Sequence, residues 1–126
     1  MAWTALTVPA CQNSSPPAVH THRFTATVTV TDTALLPEAA VEIPVFATVV
    51  WRNRGSAPAV IDVDTPSCPD CDTVLGFTPT DHGTHTAKVD PGDVVTLCFH
   101  TAGVVPFVAR IGSAEHRGTV LVGGAK

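Results

Sequence analysis

The tightest group of chemistry-bearing residues in the chain is Cys68-Pro69-Asp70-Cys71. Two cysteines at this spacing have three chemistries open to them. They can close a local disulfide around a tight loop, which belongs to an oxidising compartment. As thiolates they can form half of a soft-metal site for copper(I) or zinc. They can also act as a thiol–disulfide redox centre, whose reactive Cys sits at a helix N-terminus in a βαβ unit that this sequence does not show. The metal reading draws on further donors. Cys98 and His100 alternate with Leu97 and Phe99, so if the apolar pair faces a core, the sulfur and the imidazole share the opposite strand face. His116 completes the expected set of Cys68, Cys71, Cys98, His100 and His116, and copper or zinc is the metal that such a set would take. If Cys68 and Cys71 are joined as a disulfide, no cofactor is expected. His20 and His22 share a strand face, and His82-Gly83-Thr84-His85 is read as a polar loop carrying two imidazoles.

Other chemistries find no support in the spacing. Ser113, His116 and Asp81 are the pieces of a nucleophile constellation, but no Gly-x-Ser-x-Gly, His-Glu-x-x-His or phosphate-cradling Gly loop accompanies them. No enzyme activity is expected. Asp62, Asp64, Asp70 and Asp72 lack the dense ligand spacing of a calcium loop and read as a solvated acidic patch. The formal net charge of -4, from seven Lys and Arg against eleven Asp and Glu, gives no footprint for nucleic acid. No apolar run is long enough to span a membrane. A protein partner is the remaining class.

These residues must be positioned by strands. Val and Thr supply 37 of the 126 residues, against two Lys and three Glu, a bias toward β-branched side chains that suit a pleated sheet. Phe24, Ala26, Val28 and Val30 alternate with Thr25, Thr27, Thr29 and Thr31, a period of two that predicts a half-buried strand. Val41 to Trp51 is a second apolar run broken at Pro44, which marks an edge or a bulge. Further strands are predicted at about 58–63, 73–78, 84–89, 93–100, 104–111 and 117–123. Turn signals fall at Arg54-Gly55, Thr65-Pro66, Asp90-Pro91-Gly92, Ala102-Gly103 and Glu115 to Gly118, and any helical turn belongs near 69–75. Seven or eight short strands at this spacing make an all-β sandwich or barrel.

Residues 1–19 read as a tail and 20–126 as the domain. The short apolar run through Ala10 into Cys11, followed by Gln12-Asn-Ser-Ser-Pro-Pro17, resembles a bacterial lipoprotein signal with its linker. That likeness implies a lipid anchor at Cys11 and a periplasmic or extracellular location; an arbitrary end of the sequence is the alternative.

Trp51-Arg52-Asn53 with Pro58 beyond it, then Asp90-Pro91-Gly92-Asp93, the Val95/Leu97/Phe99 alternation, Gly103, Pro106-Phe107 and Arg117 to Val122 together resemble the cupredoxin family over residues 24–123. The resemblance implies a Greek-key β-sandwich of the plastocyanin and azurin kind. Type 1 copper sites in that family use a His after the Trp-x-Asn loop, then a Cys, a second His and usually a Met in the last loop. The matching positions here are Ala59, Ala109, Gly112 and His116, of which only His116 has a donor. The topology also implies that the turn at His100–Gly103 lies away from the usual copper end, where residues 64–72 could approach. A metal-binding protein with a non-standard Cys/His site is one expectation. A metal-free interaction domain stapled by Cys68 and Cys71 is the other, and an ordinary copper electron carrier ranks below both.

Overall fold

The computed structural model describes residues 24–65 and 75–123. The chain forms two facing sheets. The smaller contains β1 (Thr25–Val30), β2 (Leu35–Leu36), β4 (Ala47–Asn53) and β8 (Val94–Phe99), in the order β2-β1-β4-β8. The larger has the order β3-β10-β9-β5-β7-β6, built from β3 (Val41–Ile43), β5 (Ala59–Val63), β6 (Thr78–Pro79), β7 (His85–Val89), β9 (Gly103–Ile111) and β10 (Ala114–Val122). β1 runs parallel to β4 and β3 parallel to β10, while the remaining pairs are antiparallel. The all-β sandwich expected from composition and alternation is what the chain adopts. Among the described residues there are ten strands rather than seven or eight, three of which (β2, β3 and β6) are only two or three residues long.

Alternation places the core as expected. Val28 and Val30, Val49 and Trp51, Leu97 and Phe99, Ile61 and Val63, and Val120 and Val122 all point inward and are buried. Trp51 lies at the centre, with Phe77 and Phe107 edge-on at centroid distances of 5.4 Å each, the arrangement that aromatic quadrupoles favour. Its indole Nε1–H has no hydrogen-bond acceptor among the described residues. Phe24 departs from the pattern: standing before the first residue of β1, it is 46% exposed.

Pro44 ends β3, and the chain crosses there from the larger sheet to the smaller. The crossing includes Phe46 at a φ of 67°, a left-handed conformation uncommon for a bulky residue. Gly118 is a packing glycine, not a turn. It lies inside β10, opposite Phe107, and a Cβ there would stand 2.3 Å from the Phe107 ring. The expected turn over Glu115 to Gly118 is therefore corrected: the turn is at Gly112–Ser113, with Gly112 at a φ of 58°, glycine being suited to the first position of a two-residue hairpin connection. Pro106 is tolerated within β9 because its carbonyl accepts from Asp64 N–H. Its missing donor therefore faces the side where β5 has ended, not the ladder with β10.

Candidate functional site

Strand directions define two ends of the sandwich. The near end gathers the C-terminus of β4, the start of β5, the 90–93 turn and the β9–β10 hairpin turn. The far end gathers the start of β4, the end of β8 and the start of β9.

At the near end, two of the positions that the cupredoxin resemblance assigns to copper ligands, Ala59 and Ala109, are part of the core, while Gly112 is exposed and His116 half-buried. Ala59 and Ala109 are fully buried, on adjacent strands paired Ala59↔Ile111 and Ile61↔Ala109. Gly112 makes the hairpin turn, and the ladder between β9 and β10 runs unbroken from Ala114↔Ile111 to Val122↔Gly103. His116 was expected on a loop; it lies within β10, cross-strand from Ala109, and its Nε2–H donates to the Thr31 carbonyl at 3.2 Å. Two methyl groups and a two-residue turn supply neither a thiolate nor a second imidazole, so these residues do not fit a type 1 copper ion.

Asn53 organises this end. Buried to 1% exposure, it donates through Nδ2 to the carbonyls of Ala57 and Val89 at 2.9 Å each and accepts from Gly55 N–H at 2.8 Å. One side chain thereby satisfies backbone groups of the 54–58 loop and the end of β7. The turn over it, Asp90-Pro91-Gly92-Asp93, has Pro then Gly at its centre, Gly92 at a φ of 89° and a 2.9 Å bond from Asp93 N–H to the Asp90 carbonyl, the pattern of a type II turn. Asp32, in the turn after β1, clamps the loop, accepting from Ser56 N–H at 2.9 Å and Ser56 Oγ–H at 2.8 Å. The backbone and then the hydroxyl donation hold its carboxyl below the ordinary value of 3.8. Sequence reading missed both Asp32 and Ser56, since their separation of 24 residues leaves no local signal.

At the far end, Leu97 and Phe99 face the core, and Cys98 and His100 share the opposite face as expected. The Cys98 Sγ and His100 Nε2 atoms are 3.7 Å apart. Cys98 is buried and disulfide-bonded. The other cysteines, Cys11, Cys68 and Cys71, lie outside the described residues, as do His20, His22 and the 69–75 segment apart from Leu75. A sulfur closes one bridge only, so a Cys68–Cys71 staple and the bridge at Cys98 compete for the same atoms unless Cys11 is the partner. While bridged, Cys98 offers a metal no thiolate. The His100 ring meets Phe46 at 5.1 Å. Thus the structure brings Cys98 and His100 together and places His116 at the other end of the sandwich, in the other sheet; no group of three or more His, Cys, Asp or Glu that could hold a metal occurs among the described residues.

The loop reading holds for His82, which lies exposed in a turn, and is corrected for His85. His85 is the first residue of β7; it is buried, and its Nδ1–H donates to the Thr65 carbonyl at 3.0 Å. Asp62, placed in a solvated acidic patch, is ion-paired with Arg110 on the outer face of the larger sheet.

No family model matches the sequence, and no curated protein matches it. Solved structures do. A methionine-to-alanine variant of amicyanin with Cu(I) superposes with a TM-score of 0.56 at 17% identity, over 78% of this chain and 81% of that one. A reduced proline-to-phenylalanine variant of amicyanin gives 0.56 at 16% identity, over 87% and 94%. A reduced Cu(I) proline-to-glycine variant gives 0.56 at 15%, over 90% and 89%. The fold is cupredoxin-like. Identities this low carry the architecture and not the site.

Proposed function

We propose that this protein is a non-enzymatic, cupredoxin-fold handler of copper(I) or zinc in a periplasmic or extracellular setting, taking up metal when the bridge at Cys98 is reduced to thiols. Its site is at the far end, with Cys98 and His100 as the described donors and Cys68 and Cys71 as the remaining ligands. His116, hydrogen-bonded at the opposite end, is left out. The observation that carries the reading is the 3.7 Å separation of Cys98 Sγ and His100 Nε2. Metal bonds of about 2.3 Å to sulfur and about 2.0–2.1 Å to nitrogen, opened to a tetrahedral angle, put the two donors about 3.6 Å apart. The pair is spaced for one ion, at the C-terminal end of β8. The copper-bearing neighbours make a copper-related role the natural class for this fold, and the near-end alanines support a site of a different kind.

A second reading is favoured by the disulfide at Cys98: a metal-free binding module in which the bridge is a permanent staple. Metal content after equilibrium dialysis against copper(I) or zinc, with and without prior reduction, separates the two. The metal reading expects near-stoichiometric metal in the reduced protein, lost in Cys68→Ser/Cys71→Ser and weakened in His100→Ala by more than the roughly 10–100-fold that loss of an outer-shell partner causes. Absence of metal from the reduced protein would leave the stapled module.

A further inference from the structure

The four described arginines that can be compared fall into two pairs. On the outer face of the larger sheet, Arg110 is engaged by Asp62 and Glu115, and Arg117 by Glu115. Arg52 and Arg54 make no ion pair among the described residues, although both are exposed. They flank an open depression of about 490 Å³ at the near end, whose other lining residues are Asn53, Gly55, Gly92 and Val94.

The nearby acids do not neutralise them. Both Asp32 oxygens are committed to Ser56. Asp90 and Asp93 belong to the turn that carries Gly92, but neither lines the depression. The backbone donors are committed too: Gly55 N–H to Asn53 Oδ1 and Gly92 N–H to the Asn53 carbonyl. Two guanidinium forks on a floor fixed by Asn53 are therefore the recognising groups, and the forks match planar carboxylates in bidentate geometry. The opening is wide and shallow, suited to a surface rather than an enclosed molecule. On a chain of net charge -4, it is a local site of opposite sign, where complementarity can set register and encounter rate.

We infer that this depression docks an acidic segment of a partner protein, one carboxylate to each guanidinium. The inference is independent of the far-end metal site. It is tested by following backbone amide shifts of the full chain on titration with a glutamate-rich peptide, its glutamine counterpart and inorganic phosphate at equal ionic strength. The glutamate peptide should move the Gly55 and Gly92 amides saturably. Arg52→Gln/Arg54→Gln should weaken it by about three- to tenfold, as loss of two exposed ion pairs does, with an unchanged unfolding midpoint. The glutamine peptide should be silent. Equal shifts with phosphate would make this a small-anion pocket and overturn the proposal, as would peptide shifts that survive the double substitution or a titration that moves neither glycine.

Discussion

The two ends of the sandwich are held by different chemistry. At the near end the fixing contacts are hydrogen bonds, from Asn53 to the Ala57 and Val89 carbonyls and from Gly55 N–H to Asn53, from Ser56 to Asp32 and from His116 to Thr31. At the far end they are a disulfide at Cys98, a ring contact between His100 and Phe46, and a left-handed backbone at Phe46. Likeness to copper proteins directs attention to the near end, yet the described soft donor, Cys98, is at the far end. The fold transfers between such proteins because the core positions suffice to specify it; the site does not, because it rests on a few side chains at strand ends. Redox conditions should therefore act on one end and proton concentration on the other.

The largest effect is expected from Cys98→Ser. Removing a native disulfide from a small domain costs about 2–5 kcal/mol, measured here as a lower urea midpoint. Reductant should bring the wild type to the same stability and should leave the variant unmoved. Hydrogen exchange should rise at Phe46, whose N–H donates to the Phe99 carbonyl at 2.7 Å, before it rises at Gly55 or Gly92. If reduction left stability and exchange unchanged, the far end would not depend on its bridge, and the contrast would fail.

Asn53→Ala comes next, at about 2–3 kcal/mol, because it leaves the Gly55 N–H and the Ala57 and Val89 carbonyls without their buried partner. The loss should be the same with and without reductant. It should also add to that of Cys98→Ser, since residues at opposite ends with no shared partner behave independently. A coupling beyond about 0.5 kcal/mol in the double-mutant cycle would mean that the ends are one cooperative unit.

How much of this was legible depends on how local each signal is. The strand Thr25–Val30 was readable because its valines alternate, and the 90–93 turn because Pro and Gly occupy the positions their backbone angles require. Gly118 misled because glycine signals a turn and a close approach equally; only the Phe107 ring across the strand distinguishes them. His85 and His116 were read as loop residues for the same reason, since a hydrogen-bond partner 20 or 85 positions away leaves no trace nearby. The shared face of Cys98 and His100 was visible in the alternation. The bridge at Cys98 and the unneutralised pair Arg52 and Arg54 were not, because each depends on what distant segments place beside them.

The smallest effect is the one that isolates the near end by pH. Asp32 titrates below its ordinary range because Ser56 donates twice to its charged form, so the native state binds this proton less readily than the unfolded chain does. Its contribution to stability is therefore fully present above the ordinary carboxylate value and is lost as pH falls through the lowered native value. Asp32→Asn keeps an acceptor for Ser56 N–H but removes the charge. The difference in urea midpoint between wild type and this variant should be constant at neutral pH and shrink on acidification below about pH 4. Because the carboxylate is exposed, salt should reduce the difference. Reductant should not, since Cys98 lies at the other end. A difference that persisted unchanged into acid would show that the clamp acts through shape alone, and one that vanished on reduction would join the two ends into a single switch.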